Sequence, residues 1–172
     1  MKDANISGYR YSSAHRSHAH RYLLPAVDSI LNRLNREGLE QRCFDLGCGN
    51  GSVANYFTEN GWDVTGVDPS VEGIKYAKQH FPDLKLFDGS AYDDLSAQYG
   101  QFPVLISLEV VEHVYAPRDY AKTAFDLLQR GGWQSFLLPI IATGRIWPWR
   151  QLARWTRTLP PCGITATSSS GR

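Results

Sequence analysis

The stretch that most constrains this chain is Phe44-Asp45-Leu46-Gly47-Cys48-Gly49-Asn50-Gly51-Ser52, a short strand that enters a helix through three glycines at alternate positions. Gly47 permits the tight turn, and Gly49 and Gly51 let backbone come close to a ligand at the helix N-terminus. Asp68 follows at the end of the next strand, where a carboxylate can accept both hydroxyls of a ribose. The plain alternative is a glycine-rich strand-to-helix turn that holds nothing.

Around this loop the chain alternates. Tyr22 to Leu39 sets Leu23, Ala26, Val27, Ile30, Leu31 and Leu34 at helical spacing, with Gly38 as its stop. Arg42–Leu46 reads as a strand and Ser52–Asn60 as a helix ended by Gly61. Trp62–Val67 is the next strand and Val71–Phe81 the next helix, with Ile74, Ala77 and Phe81 on one face. Leu84–Phe87 and the apolar run Val104–Leu108 are further strands. Pro117 opens a last helix, where its missing N–H costs nothing, and Gly131–Gly132 closes it. Strands separated by helices of this length predict right-handed crossovers and an α/β fold: a Rossmann-like, doubly wound parallel sheet with helices on both faces.

The spacing of the glycines bears on the ligand. A dinucleotide fingerprint wants G-x-G-x-x-G, whereas Ser52 follows Gly51 here and the pattern is G-x-G-x-G. Asp45, two residues before the first glycine, would repel a pyrophosphate but suits the ammonium of an amino-acid-bearing cofactor. The charge argument favours S-adenosylmethionine over NAD.

The segments FDLGCGNG, GVDPS, FDGSAYDDL and SLEVVEHVYAPRDYAKTAFDLLQRGGW, over roughly residues 42 to 133, resemble the class I methyltransferases, in particular the ubiquinone-pathway O-methyltransferase branch. That resemblance implies that Gly47, Gly49 and Gly51 line the methionine part of S-adenosylmethionine and that Asp68 takes the ribose. It sets Ser90 and Ala91 beside the adenine, where many relatives carry Asp at the Ser90 position. Leu108 and Glu109 would lie beneath the cofactor at the end of the fourth strand. The implied reaction is transfer of a methyl group to a small-molecule acceptor, at oxygen. Alignment of acceptor, methyl and sulfur supplies much of such a rate, and a general base helps where the acceptor is a hydroxyl.

Glu109, Glu112 and His113 form an E-x-x-E-H pattern found as a metal site in some relatives, so one divalent ion could sit there. The alternative is that the Glu-His pair packs and caps the loop. His113 is also the candidate catalytic base. His15, His18 and His20 lie among Arg10, Arg16 and Arg21 and read as a solvated arm or a helix over the cofactor, rather than as a metal or phosphate site.

Composition bounds the rest. The chain has 172 residues, 42% of them hydrophobic and 20% charged, with a net charge of +1. That is an ordinary globular balance with no call for nucleic acid. The apolar run near Phe136–Ala142 is too short to cross a bilayer and contains Pro139, and no signal-peptide core begins the chain. Three unpaired cysteines, Cys43, Cys48 and Cys162, suit a reducing compartment, so the expected location is cytoplasmic. Nothing in the sequence speaks to oligomeric state.

Charge is unevenly distributed. All 17 acidic residues and every lysine precede Trp133, while Trp133–Arg172 holds five arginines and four tryptophans. The family resemblance stops at the same place. One reading is a non-catalytic cofactor-binding core with a basic, aromatic tail that binds membrane or RNA. The other is a reading-frame slip near Trp133. Back-translation from Gln134 with permitted codons, read two bases later, encodes IISTPYHCYWK, which is similar to the family's continuation. The expected organisation is an N-terminal arm and helix over 1–40, the cofactor-binding domain over 41–138, and an atypical, unstructured tail over 139–172, with the usual last two strands missing.

Overall fold

The computed structural model describes residues 18–129 and 139–140. In chain order the elements are α1 (His18–Arg36), β1 (Arg42–Leu46), α2 (Ser52–Glu59), β2 (Asp63–Asp68), α3 (Val71–His80), β3 (Lys85–Asp88) and α4 (Leu95–Tyr99). There follow β4 (Val104–Leu108), a 3₁₀ turn (Val111–His113), α5 (Pro117–Asp126) and β5 (Pro139–Ile140). The five strands form one sheet in the order β3-β2-β1-β4-β5, and every pairing is parallel. The predicted α/β sheet is therefore present. Pro139–Ile140 pair with Ser107 and Leu108, so the sheet extends just past the boundary expected at residue 138.

Both faces of the sheet are covered, which is why its strands read as apolar runs rather than alternating ones. On one face Leu24, Val27, Leu31 and Leu34 of α1 join Val53, Ala54 and Phe57 of α2, and Ile74 and Ala77 of α3, over Cys43, Val64, Val104 and Ile106. On the other, Tyr120 and Ala124 of α5, with Leu95, Phe102 and Leu127, cover Phe44, Leu46, Val67 and Leu105. Complete burial of a Leu, Val or Phe side chain contributes about 1.5–3 kcal/mol, so the two layers carry most of the stability.

Several boundaries differ from the sequence expectation, each for a local reason. Helix α1, described from His18, stops at Arg36 because Gly38 takes φ 86°. The Leu39 N–H then returns to the Leu34 carbonyl and the Gly38 N–H to that of Asn35, satisfying two orphan acceptors. Ala26, expected on the buried face, is exposed. The short α4 went unread, although Asp94 caps it by accepting from the Ala97 N–H and Gly100 ends it with φ 79°. Helix α5 ends at Asp126, before Gly131–Gly132. The backbone beyond it pairs with Phe102, whose N–H donates to Leu127 and whose carbonyl accepts from Gln129.

The start of α5 lacks a feature that α3 and α4 possess. Ser70 caps α3 through the Gly73 N–H, but the N-cap of α5 is Ala116, which has no side-chain acceptor. Replacing Ala116 by Asp supplies that acceptor and a favourable charge at the positive end of the helix. We expect Ala116→Asp to raise stability by about 1 kcal/mol, read as an increase in the thermal unfolding midpoint. A midpoint at or below that of the parent counts against this account of the helix start.

Candidate functional site

Strand order reverses at β1. From β1 the chain moves outward to β2 and β3, then returns to place β4 on the opposite side of β1. Ligands of open α/β sheets bind beyond the carboxyl ends of the strands at such a switch point. Here those ends carry the glycine loop, Asp68, Gly89–Ala91 and Glu109.

The loop is tightly specified. Gly47 has φ 94°, and its N–H, together with that of Cys48, donates to the Val67 carbonyl of β2. A Cβ on Gly47 would lie 2.3 Å from Cγ2 of Val110, so only glycine fits beneath the chain leaving β4. Gly51, with φ 76°, opens α2, and a Cβ there would meet Leu86 at 2.7 Å and Ala77 at 3.0 Å. Both glycines are thus required by close packing within the protein as well as by backbone angle.

Two carboxylates stand under this loop, both buried. Asp68 accepts from the Gly49 N–H through Oδ2 at 2.9 Å and from the Ser70 N–H through Oδ1 at 2.8 Å. Burial raises its pKa above the ordinary carboxylate value, while the two backbone donors pull it back down. Asp45 alternates along β1 with Phe44 and Leu46 and so points to the opposite face of the sheet. It is 2% exposed, and its Oδ2 has no hydrogen-bond partner. Burial first, and the Asp68 charge second, push it from 3.8 to about 7. A buried carboxylate oxygen with no donor is costly, and it marks a position where a cationic or N–H-bearing ligand group would be stabilised. Ser52 Oγ, at the first turn of α2, is a second buried polar atom without a partner.

The remaining candidates lie at the same edge but are arranged differently from one another. Ser90 closes a turn: its N–H donates to Asp93, and its hydroxyl accepts from the Tyr92 N–H. Ala91 packs on the α5-side core beside Tyr92. Leu108 is buried at the end of β4, and Glu109 follows in the left-handed region with φ 56°, the one non-glycine residue to do so among the described residues. A conformation of that kind costs about 1–3 kcal/mol and persists where surrounding packing dictates it. Here it turns Val110 onto Gly47.

The expected metal set is not assembled. Glu112 and His113 are exposed on the 3₁₀ turn while Glu109 sits half-buried before it. A turn of three residues per revolution sends neighbouring side chains about 120° apart, so Glu112 and His113 diverge. Among the described residues no three His, Cys, Asp or Glu side chains stand close enough to share an ion. The divalent-metal reading of Glu109, Glu112 and His113 is corrected accordingly, and His113 stands as an exposed side chain at the end of the 3₁₀ turn. His15 and the tail after Ile140 lie outside the described residues, as does the basic, aromatic surface that a membrane- or RNA-binding tail would need. Among the described residues no helix is long and apolar enough to cross a membrane.

Sequence reasoning missed Ser107 and Tyr120, which meet beneath the crevice. The Ser107 hydroxyl donates to the Leu46 carbonyl at 2.7 Å and also hydrogen-bonds the Tyr120 hydroxyl. The available signal was one hydroxyl inside the run Val104–Leu108.

Comparison with known proteins bears on the family and the fold. The pattern of a methyltransferase domain family matches residues 15–163. A ubiquinone biosynthesis O-methyltransferase of Roseobacter denitrificans is 30% identical over 135 residues, covering 70% of this chain and 54% of that protein. One from Caulobacter sp. is 38% identical over 111 residues, covering 62% of this chain and 41% of that one. The chain spans about half the length of these relatives. A solved protein from Pyrococcus horikoshii OT3 shares the fold, with a TM-score of 0.53 at 21% identity, covering 66% of this chain and 55% of that one. The family match runs through most of the sequence and across the glycine loop from which the fold was read: this chain belongs to the class I, S-adenosylmethionine-dependent methyltransferase family.

Proposed function

We propose that this chain binds S-adenosylmethionine at the carboxyl ends of β1, β2 and β4 and serves methyl transfer to the oxygen of a small molecule. The observation that carries the reading is the unpartnered, buried Oδ2 of Asp45 beside the glycine loop. An α-ammonium supplies the donors and the positive charge that this oxygen lacks. A pyrophosphate would add negative charge to a place that already holds Asp45 and Asp68, so NAD fits poorly.

In this reading Gly47, Gly49 and Gly51 border the methionine end and Asp68 accepts the ribose hydroxyls. The Asp68 carboxylate spends one acceptor site of each oxygen on a backbone N–H and keeps further lone pairs for a ligand. Ser90 and Ala91 flank the adenine, and Leu108 and Glu109 form the floor. The bound cofactor supplies an electrophilic methyl group. The protein's part is to hold the acceptor oxygen in line and, through His113, to accept its proton. A hydroxyl acceptor is supported by the O-methyltransferase names of the relatives. We also infer that the native continuation after Trp133 is displaced by a frame slip. Nucleotide sequence around that codon tests this: a confirmed present frame overturns it.

Three outcomes test the reading. In calorimetry the chain binds S-adenosylhomocysteine and not NAD, and Asp68→Ala weakens that binding by about 1–3 kcal/mol, the cost of stranding polar partners. Preference for NAD, or an unchanged affinity for Asp68→Ala, defeats the assignment.

The second concerns pH. Asp45 releases its proton near 3.8 when unfolded but at about 7 in the folded, ligand-free protein, so between these values the folded state holds the extra proton. Stability from this group is present in full below pH ~4 and is lost as pH rises through about 7. Asp45→Asn removes the ionisation. At pH 8 it therefore stabilises the ligand-free chain, by about 4 kcal/mol as an upper bound, and the advantage vanishes near pH 4. Affinity for S-adenosylhomocysteine falls in the same variant. Denaturant titrations that show a pH-independent difference would contradict this.

Third, in a protein with turnover, His113→Ala should lower kcat toward a hydroxyl acceptor by about 10²-fold while leaving cofactor affinity unchanged. An unaltered kcat removes His113 from the chemistry.

A further inference from the structure

Every residue of β4 is buried, yet Ser107 brings a hydroxyl into the run of Val104, Leu105, Ile106 and Leu108. A buried hydroxyl lowers stability unless it is hydrogen-bonded, so its presence calls for a local reason. The sheet register supplies one. The β1–β4 ladder pairs Cys43 with Val104, Phe44 with Leu105 and Asp45 with Ile106, and stops there. On its other side β1 stays paired one residue further, to Leu46 and Val67. The two strands part at the switch point, and no further rung of the β1–β4 ladder serves the Leu46 carbonyl. The Ser107 hydroxyl takes that place, donating to Leu46 at 2.7 Å.

Proton accounting fixes the direction of the chain of hydrogen bonds. A serine hydroxyl has one proton, and a carbonyl oxygen can only accept, so the Ser107 proton is committed to Leu46. Tyr120 on α5 must then donate its hydroxyl proton to Ser107. Both residues are buried, at 1% and 2% exposure. Burial also raises the Tyr120 pKa, so it stays protonated. Hydrogen bonds linked head to tail in a dry interior strengthen one another. The residue held by this chain, Leu46, is the last before Gly47.

We infer that Ser107 and Tyr120 are positioning residues of the cofactor site: their linked hydroxyls replace a missing rung of the sheet, hold the Leu46–Gly47 peptide, and set where the glycine loop stands while β1 and β4 part. The inference rests on the cofactor reading above for its functional consequence, but its structural half can be tested alone.

The experiment uses the full chain and four variants: Ser107→Ala, Ser107→Thr, Tyr120→Phe and, as a control in the same core away from the crevice, Leu127→Val. In ligand-free protein, amide hydrogen exchange at Gly47 and Cys48 should accelerate about tenfold more than at Val64–Gly66 in Ser107→Ala, less so in Tyr120→Phe, and not selectively in Leu127→Val. Affinity for S-adenosylhomocysteine should fall about tenfold in Ser107→Ala, return to within about threefold in Ser107→Thr, and stay level in Leu127→Val despite a lower melting midpoint. Unaccelerated exchange at Gly47 and Cys48 in Ser107→Ala overturns the positioning role. So does an affinity loss that Leu127→Val reproduces, which would make the pair a packing feature only. A parent chain that binds no S-adenosylhomocysteine defeats the cofactor reading instead, and the exchange result still decides the role of Ser107.

Discussion

The structure depends on strand β1 being shared by two sheet halves that pull in different directions. With β2 it stays paired through Leu46; with β4 the ladder ends at Asp45. That difference creates an opening in an otherwise continuous parallel sheet, and an opening in a sheet leaves backbone groups to be satisfied. The protein answers on each side with what is nearest. Val67 receives two amides of the glycine loop, and Leu46 receives a side-chain hydroxyl. The two carbonyls at the parting strands are thus both hydrogen-bonded.

The same opening explains the tolerance for two acids within the core. Asp68 is matched by backbone donors, and Asp45 is not. A fold selected for stability alone would put a neutral residue at Asp45, because a lone buried carboxylate favours no compact state until a partner reaches it. Strain points the same way: the left-handed backbone of Glu109 is tolerated because it drives Val110 over Gly47 and closes the floor of the crevice. Among the described residues, the one non-glycine with positive φ and the buried atoms without a partner all lie at or beside this crevice.

Much of this was legible in the sequence because it is carried by local chemistry. Three glycines between a strand and a helix declare a loop whoever their neighbours are, and Asp68 is placed by the length of one helix and one strand. Helices α1 and α3 were visible through periodicity, whereas α4, five residues long, was too short to show any. What sequence hid were relations set by distant pairing. The end of α5 is fixed by Phe102, which precedes it by more than a dozen residues, so Gly131–Gly132 misled as a stop signal. Glu109, Glu112 and His113 are close in sequence, and only the 3₁₀ turn reveals that closeness in number does not give convergence in space. Ser107 passed as part of an apolar strand because its partners, Leu46 and Tyr120, come from two other elements.

The position of β1 has a consequence for synthesis. Because β4 joins it only after β2 and β3 have been made, a growing chain presents β1 for a time as the open edge of a three-stranded sheet. Long apolar edges recruit other chains, and a charge in the middle of the strand discourages such pairing. Asp45 is the fourth of the five residues of β1, between Phe44 and Leu46. A carboxylate at a water-exposed edge carries its charge and opposes such pairing; in the finished sheet the same residue is 2% exposed, with one oxygen unpartnered.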